Sequence, residues 1–329
     1  MRTASITAAV RRPVLNAVAS SSSSSSPRAA VSVPRFTRSA WGTSAPAPPP
    51  VKLAYDLVHP KEDKRPDEAL VVCHGFLGSK QNWRSLGKRM ANALSMRVFT
   101  LDMRNHGQSP HAAPHTSVAM AEDLGLFFKD HGLTSGVHLV GHSMGAKSVM
   151  AYALNADLNA PLRSLVPIDM TPNIEPIEPQ YNGYTKGMQE IAAAKVQTRA
   201  EADELLKPYE AVPATRQFLL TNAITVRGPY GRKHVGFRVN LPLLADAINR
   251  LGEFPYTPPP PVSPTSPQWT GPVLFIKGAH AAYIRPDNIE VARRFFPRME
   301  LVTLDAGHWV HADRPDETVE SIVRFVQNN

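Results

Sequence analysis

The sequence predicts an α/β fold in which a mostly parallel central sheet is flanked by helices and carries an inserted helical cap. From Leu53 onward, short runs rich in Val, Ile and Leu alternate with longer segments of helical period, the pattern of a sheet covered by helices on both faces. Several of these runs are apolar throughout, as strands buried on both faces are expected to be. The alternation breaks at about 171–268, which is far longer than an ordinary helix-to-strand connection.

Seven strands and five helices form the predicted main body. The strands are expected at 53–58, 69–74, 96–102, 136–140, 163–169, 272–277 and 299–304. The helices are expected at 82–95, 117–131, 143–156, 287–296 and 315–327. No internal repeat is visible, so the pattern does not indicate a solenoid or a propeller.

The long connection at 171–268 predicts a cap over the sheet. Three stretches of helical period lie in it, at 185–207, 213–225 and 241–251, and a Pro-rich return follows at 255–267. An insertion at the carboxyl end of a strand usually shapes a ligand pocket. A spliced regulatory or disordered insert is the alternative, and the three amphipathic segments argue against it.

Composition excludes several classes of protein. The chain has 329 residues, of which 43% are hydrophobic and 19% charged, enough apolar residues for one large domain or two small ones with a core. Its single cysteine, Cys73, cannot close an internal disulfide, and no Cys/His spacing is typical of a structural zinc site. No apolar run is long enough to predict a membrane-spanning helix.

The positive charge is concentrated at the N-terminus. The first 55 residues contain seven Lys and Arg and no acid, whereas the rest of the chain contains 29 Lys and Arg against 28 Asp and Glu. A nearly neutral main body gives no indication of a nucleic-acid partner.

The N-terminal 45 residues predict a transit peptide. They contain scattered arginines, the serine run 20–26 and no acidic side chain, a composition typical of organelle import. Residues 1–18 can form a helix with arginines on one face and apolar side chains on another, which favours mitochondria over chloroplasts. A basic extension without a targeting role is the alternative. A Pro-rich spacer at 46–50 then leads to the folded domain, residues 51–329.

Residues 141–145 (G-H-S-M-G) match the G-x-S-x-G pattern of a nucleophile elbow. They lie between the predicted strand 136–140 and a helical segment, where a sharp strand-to-helix turn exposes the serine hydroxyl. Ser143 is therefore the predicted nucleophile. A structural turn is the alternative reading.

A serine hydroxyl needs a base within hydrogen-bonding distance. His308 lies in the loop after the last predicted strand, and His311 is the near alternative. His74 and His106, next to glycines, are expected to hydrogen-bond within loops, and His142 is expected to point away from the serine oxygen. His138, in a strand, is expected to be a core residue.

The acid that orients the base is less clear from the sequence. Asp169 ends the strand after the nucleophile's helix and is the favoured candidate. Asp287 follows the penultimate strand but resembles a helix N-cap, and Asp246 in the cap is a third possibility. An oxyanion hole needs two backbone donors; Met144, after the nucleophile, and Phe76, in the turn after strand 69–74, are the expected ones.

Four ordered motifs resemble those of the α/β-hydrolase superfamily. They are H-G-F-L-G-S at 74–79, D-M-R-N-H-G-Q-S at 102–109, G-H-S-M-G-A-K at 141–147 and A-G-H-W-V-H at 306–311. More narrowly, they resemble the mitochondrial group that contains abhydrolase domain-containing protein 11 and the yeast ethanol acetyltransferases. The loop at 278–283 lacks the serine common in that family, and the return at 258–267 is longer than usual.

The resemblance implies an α/β-hydrolase fold and a triad in the chain order Ser143, Asp169, His308. It gives the 102–107 loop a bracing role beside the oxyanion turn. The implied activity is acyl transfer from small esters, thioesters or acyl-CoA through an acyl-serine, to water or to an alcohol such as ethanol. No metal or cofactor is expected. A silent binding protein of the same fold and haloperoxidase-type chemistry are the competing hypotheses.

Overall fold

A seven-stranded sheet forms the centre of the protein. The computed structural model describes residues 49–158, 161–259 and 267–329. Within them the strand order is β1-β3-β2-β4-β5-β8-β9, with β1 antiparallel to β3 and the other neighbours parallel. The strands are β1 Tyr55–Val58, β2 Ala69–Cys73, β3 Arg97–Leu101, β4 Val137–His142, β5 Leu162–Ile168, β8 Val273–Gly278 and β9 Met299–Leu304. The expected mostly parallel α/β architecture is thereby confirmed.

Ten α-helices lie in the described residues. Those of the main body are α1 Arg84–Leu94, α2 Ser117–Asp130, α3 Met144–Leu154, α8 Pro286–Phe295, α9 Val310–Asp313 and α10 Pro315–Gln327. The short α9 was not predicted. No helix in the described segments is long and apolar enough to cross a membrane.

The sheet separates two hydrophobic clusters, which explains why its central strands are apolar throughout. In β2, Val71 and Cys73 belong to the cluster that contains side chains of α2 and α3, whereas Leu70 and Val72 belong to the cluster beneath α1 and α10. Successive side chains of a strand point to opposite faces. A strand covered on both faces therefore needs an apolar residue at every position.

The cap lies between β5 and β8 and contains more than helices. Its elements are α4 Gln180–Ala194, α5 Arg199–Leu206, α6 Pro213–Leu220, an antiparallel hairpin of β6 Ala223–Arg227 and β7 Lys233–Phe237, and α7 Leu241–Leu251. The single helix predicted at 185–207 is two helices, because Lys195 adopts a left-handed φ of 52° and Thr198 caps the start of α5.

The helix predicted at 213–225 is shorter in the structure. The observed α6 stops at Leu220, and residues 223–227 (A-I-T-V-R) form a strand. Ile, Thr and Val are β-branched and favour strands once a partner strand is present. The partner, β7, lies ten residues further on, so a local reading of helical period could not detect it. The transit peptide predicted at 1–45 lies outside the described residues, as does most of the 46–50 spacer.

Candidate active site

Ser143 lies on the sharp turn between β4 and α3. Its φ of 53° and ψ of −114° depart from the conformations that non-glycine residues prefer. The Ser143 amide donates to the carbonyl of Ile168 at 3.0 Å, which ties the turn to the end of β5. Such strain persists only where surrounding structure holds it.

The two glycines of the motif are required by close backbone contacts. A Cβ on Gly141 would lie 2.5 Å from the carbonyl oxygen of Gly145, and a Cβ on Gly145 would lie 2.6 Å from the carbonyl oxygens of Cys73 and His74. The glycines therefore let α3 start directly against β2. This contact brings the turn that follows β2 next to Ser143.

Three predicted side chains meet at the carboxyl edge of the sheet. Ser143 Oγ lies 2.9 Å from Nε2 of His308, and Nδ1 of His308 lies 2.8 Å from Oδ2 of Asp169. A carboxylate only accepts hydrogen bonds, so Nδ1 carries the imidazole proton and Nε2 is free to accept the serine proton. Asp169 is fully buried and Ser143 is largely buried.

Asp169 is held by the backbone of β8. Its amide donates to the carbonyl of Ile276 at 2.8 Å, and its Oδ1 accepts from the amide of Gly278 at 2.9 Å. Gly278 has a second role, because a Cβ there would lie 2.2 Å from the carbonyl oxygen of Gly307. The absence of a side chain thus lets the loop carrying His308 pass over the end of β8. The local sequence does not single out Gly278 as a residue that supports the site.

The alternative residues lie elsewhere. Asp287 starts α8 on the surface, where it pairs with Arg285 at 3.2 Å, and Asp246 is exposed on α7. His311 is buried and stacks on Trp83 with ring centroids 4.4 Å apart. Burial lowers the pKa of His311 to about 3. None of the three has a hydrogen bond to Ser143 or His308 in the described structure.

His142 supports the loop of His308. Its Nε2 donates to the backbone carbonyl of His308 at 2.8 Å. Burial, and then the neighbouring imidazoles of His311 and His308, holds the pKa of His142 well below its usual range. The ring is therefore neutral, with its proton on Nε2. This contact between residues 166 positions apart has no local sequence signal.

Two further histidines brace the turn after β2. His74 Nε2 accepts from the amide of Met103 at 3.0 Å, and His106 Nε2 accepts from the amide of Leu77 at 3.1 Å. Burial lowers the pKa of both rings, so both accept as neutral imidazoles. The loop at 102–107 thus lies against the 74–78 turn, as the family resemblance implies.

The 102–107 loop is itself anchored by ionic contacts. Arg104 donates to both oxygens of Asp123, at 2.6 and 2.7 Å, and both side chains are fully buried. Asp102 accepts from the amide of Lys80 at 2.8 Å. Bidentate pairs of this kind fix geometry, so the turn beside Ser143 rests on a rigid support.

Phe76 and Met144 have free backbone amides beside Ser143. Among the described residues, neither amide donates to another protein atom. The turn carrying Phe76 passes close to Ser143, because a Cβ on Gly75 would lie 3.3 Å from Cβ of Ser143. Two unpaired donors next to a serine are the arrangement that an oxyanion requires.

A small apolar cavity opens above Ser143. It has a volume of about 270 Å³, including its open mouth, and its walls are Phe76, Ser143, Met144, Met170, Ile177, Tyr181, Leu251 and Tyr283. The ring of Tyr283 lies 4.3 Å from that of His308, centroid to centroid. Burial raises the pKa of Tyr181 and Tyr283, whose side chains hydrogen-bond to each other. Both hydroxyls are thus neutral. Within the described residues, no cluster of three or more His, Cys, Asp or Glu side chains is arranged to hold a metal ion.

Lys147 joins α3 to the cap. Its buried ammonium donates to the carbonyls of Asn173 and Gly252, each at 2.6 Å. Burial lowers the pKa of Lys147 to about 8, against the opposing effect of Glu175 and Glu253. Since Leu251 lines the cavity next to Gly252, this contact holds one cavity wall in place.

The chain is similar to known proteins along most of its length. The family described as alpha/beta hydrolase fold matches residues 68–315. A probable alcohol acetyltransferase of Saccharomyces cerevisiae is 35% identical over 85% of this chain and 84% of its own length. The sn-1-specific diacylglycerol lipase ABHD11 of Mus musculus is 33% identical over 84% of this chain and 86% of its own.

A solved structure gives the same result. A marine microorganism esterase superposes with a TM-score of 0.71 at 27% identity, covering 84% of this chain and 99% of its own. These relatives are all named for action on esters or acyl groups, which supports an ester-acting enzyme of the hydrolase or acyltransferase class. The chain belongs to the α/β-hydrolase family, in the group that contains ABHD11 and the yeast alcohol acetyltransferases.

Proposed function

We propose that the protein transfers short acyl groups from esters or thioesters through an acyl-Ser143 intermediate. The observation that carries the proposal is the continuous chain of contacts from Ser143 through His308 to Asp169, with distances of 2.9 and 2.8 Å. This geometry allows a serine hydroxyl to lose its proton as it attacks a carbonyl. The free amides of Phe76 and Met144 support the same chemistry.

In the first step His308 Nε2 accepts the proton of Ser143 as Oγ attacks the acyl carbon. The amides of Phe76 and Met144 stabilise the negative oxygen of the tetrahedral intermediate. Asp169 stabilises the imidazolium through Nδ1. His308 then protonates the leaving alcohol or thiol, and the acyl-serine remains. In the second step His308 deprotonates water or an alcohol, which attacks the acyl carbon. The bond from that carbon to Ser143 Oγ then breaks, and His308 returns the proton to Oγ as the acid or ester product leaves.

The cavity favours a short acyl group. Its enclosed space is no larger than that of about one water molecule, so a long acyl chain would require the walls to move. Apolar walls such as Met170 and Ile177 suit an alkyl chain. Since the yeast relatives are named as alcohol or ethanol acetyltransferases, the proposed substrates are acetyl or similarly short acyl esters and acyl-CoA. The mouse relative, named as a diacylglycerol lipase, supports ester hydrolysis more broadly.

A fluorophosphonate probe tests the nucleophile. The folded chain is expected to be labelled at Ser143, and Ser143→Ala is expected to remain unlabelled. Failure to label the wild-type chain would favour a silent binding protein of the same fold. A matched control is Ser148→Ala, since Ser148 lies on the same helix but its hydroxyl is buried against the carbonyl of Met144 at 2.8 Å.

The acceptor is identified by a partition experiment. Acetyl-CoA or p-nitrophenyl acetate is supplied with and without ethanol, and acetate and ethyl acetate are measured together. An alcohol acyltransferase produces ethyl acetate at the expense of acetate, whereas an esterase or thioesterase produces acetate at an unchanged rate. Neither product above the Ser143→Ala background would contradict acyl transfer and leave haloperoxidase-type chemistry to be assayed.

A series of p-nitrophenyl esters tests the acyl-length preference. Activity is expected to decline as the acyl chain lengthens beyond the cavity. Met170→Ala and Ile177→Ala remove wall atoms and are expected to shift the optimum to longer chains. An optimum at long chains in the wild type would contradict the assignment of short acyl groups.

We also propose that the protein acts in mitochondria. The support is the acid-free, arginine-containing composition of residues 1–45. A C-terminally tagged full-length chain is expected to co-fractionate with mitochondria and to lose its N-terminal segment there. Recovery from mitochondria with Met1 retained would contradict cleavage, and recovery from chloroplasts or cytosol would contradict the location.

A further inference from the structure

A basic, acid-free segment of the cap stands out from a nearly neutral main body. Residues 211–245 contain no Asp or Glu, yet they contain five basic side chains. One of them, Arg216, pairs with Asp203 at 3.1 Å within the cap. The others belong to the β6–β7 hairpin and its exit: Arg227, Arg232, Lys233 and Arg238.

The cations at the hairpin tip have no acidic partner. Arg227 ends β6, Lys233 begins β7, and Arg232 directly precedes it; all three are exposed. Within the described residues, none of the three forms an ion pair. Three unpaired cations therefore lie within one tight turn, where they reinforce each other's potential.

Tyr230 is at the apex of the same turn. Its relative exposure is 102%, so its ring has no contact that would compensate for its position. Its backbone has a φ of 60°, a conformation that is unfavourable for a bulky residue. A strained, fully exposed aromatic side chain at a loop tip is poorly explained by folding, and such outliers cluster at functional positions.

The base of the hairpin is attached to the active site. The side chain of Asn222, just before β6, donates to the carbonyl of Leu77 in the turn beside Ser143 at 2.6 Å. The amide of Arg238 donates to the carbonyl of Asn222 at 3.1 Å, which closes the base. At about 3.3 Å per residue, five-residue strands place the tip about 17 Å from this base.

We propose that the hairpin tip, residues 227–233, binds the surface of an anionic phospholipid membrane. Clustered Lys and Arg are attracted to anionic headgroups, and Tyr is the side chain that, with Trp, accumulates at the membrane–water interface. The cations would contact the headgroups and Tyr230 would insert among them. Because the base of the hairpin contacts the oxyanion turn, the active site would lie near the membrane surface.

A protein or RNA partner explains the observations less well. A nucleic-acid site would extend the basic surface along a groove, whereas here the cations are confined to one turn on an otherwise neutral domain. Insertion also uses the ring of Tyr230, which the tip fully exposes. The inference concerns binding and does not depend on the proposed acyl transfer, so each can fail without the other.

Co-sedimentation with vesicles tests the proposal. The full chain is mixed with phosphatidylcholine vesicles that do or do not contain phosphatidylglycerol. The basic N-terminal segment is the same in the wild type and in every variant, so a difference between them on anionic vesicles comes from the tip. Binding is expected only with phosphatidylglycerol and is expected to weaken as salt rises. The triple variant Arg227→Glu, Arg232→Glu, Lys233→Glu is expected to bind about 100-fold more weakly, from about fivefold for each cation.

The controls separate docking from folding and from general charge. Arg84→Glu, Lys88→Glu, Lys61→Glu changes three exposed cations outside the cap and is expected to bind within about twofold of the wild type. Tyr230→Ser alone is expected to weaken binding severalfold with unchanged charge. Far-UV circular dichroism and turnover of a water-soluble ester verify that each variant is folded.

Three results would overturn the proposal. The first is wild-type binding that is equal with and without phosphatidylglycerol. The second is a folded triple variant or its conservative form, Arg232→Gln with Lys233→Gln, that binds as tightly as the wild type. The third is binding of a duplex RNA that depends on the tip while vesicle binding does not, which would identify a nucleic-acid surface instead.

Discussion

The imidazole of His142 donates from Nε2 to the backbone carbonyl of His308 at 2.8 Å. The residue next to the proposed nucleophile thus holds the loop that carries the proposed base. The two histidine rings lie 4.9 Å apart, centroid to centroid. Ser143 and His308 are therefore connected twice, once through their side chains and once through this neighbour.

Replacing His142 should misplace His308. His142→Phe keeps a ring of similar size but cannot donate, which leaves a buried carbonyl unpaired at a cost of about 1–3 kcal/mol. We expect kcat/KM to fall roughly 10- to 100-fold and fluorophosphonate labelling to slow in parallel. His111→Phe, which loses a surface hydrogen bond to the carbonyl of Arg238, is the control. Unchanged labelling in a folded His142→Phe chain would contradict this role.

Substitutions of the two carboxylates distinguish the acid. Ser143→Ala should lower kcat by about 10⁶-fold and Asp169→Asn by about 10⁴-fold, because a nucleophile and base that act as one unit depend on the acid less strongly than on each other. Asp287→Asn, on the surface beside Arg285, should retain wild-type turnover. Loss of activity in Asp287→Asn with near-normal Asp169→Asn would reverse the assignment.

Gly145→Ala should disrupt the nucleophile turn. The added methyl group would lie 2.6 Å from two backbone carbonyl oxygens, so α3 would have to move away from β2. We expect a loss of several kcal/mol in unfolding free energy, or no folded protein. Gly183→Ala is the matched control, since its Cβ would meet only ordinary contacts at 3.7 Å or more in α4. It should be neutral or stabilise by up to about 1 kcal/mol.

Acid should destabilise the protein through His311. Its folded pKa of about 3 lies below its usual 6.5. Below pH 6.5 the unfolded chain therefore binds more protons than the folded chain, and the unfolding free energy decreases as the pH is lowered. Between pH 7 and pH 5 the wild type should lose about 2 kcal/mol more than His311→Phe. Urea unfolding at the two pH values measures the difference. If the difference in unfolding free energy between the wild type and His311→Phe were the same at both pH values, the lowered pKa of His311 would be contradicted.

Alkaline pH should have the opposite effect through Lys147. Its folded pKa of about 8 lies below its usual 10.5, so between these values the unfolded chain again binds more protons. Stability should therefore rise with pH, by about 2 kcal/mol from pH 8 to pH 10 relative to Lys147→Met. Urea unfolding of the wild type and of Lys147→Met at the same pH values cancels the contributions of the other lysines and of the tyrosines. A falling difference would mean that the carbonyls of Asn173 and Gly252 outweigh the cost of burial.

The same variant tests the link between α3 and the cap. Lys147→Met fills similar space but cannot donate to the carbonyls of Asn173 and Gly252. Because Leu251 next to Gly252 lines the cavity, we expect KM for a short ester to rise more than kcat falls. If kcat fell while KM stayed unchanged, the effect of the substitution would lie at Ser143 rather than in the cavity wall.

Residues close together along the chain were enough to predict the fold class, the family and the sheet edge that carries the candidate site. Strands buried on both faces must be apolar at every position, and a strand-to-helix turn as sharp as 141–145 needs glycine on both sides of the serine. These are local constraints, so they are written in consecutive residues. The exit of each parallel strand at the same edge then follows from topology.

Tertiary structure decided which residues meet. The sequence favoured Asp169 over Asp287 and Asp246, and only the folded chain places the Gly278 amide and the His308 ring on either side of Asp169. The strand β6 likewise depends on its partner β7, which the hydrophobic period of 213–225 does not show. The His142–His308 hydrogen bond joins residues 166 positions apart. Such contacts form only when the hydrophobic core brings distant segments together. The free energy that stabilises the core comes from many segments at once, so no single segment predicts the contact.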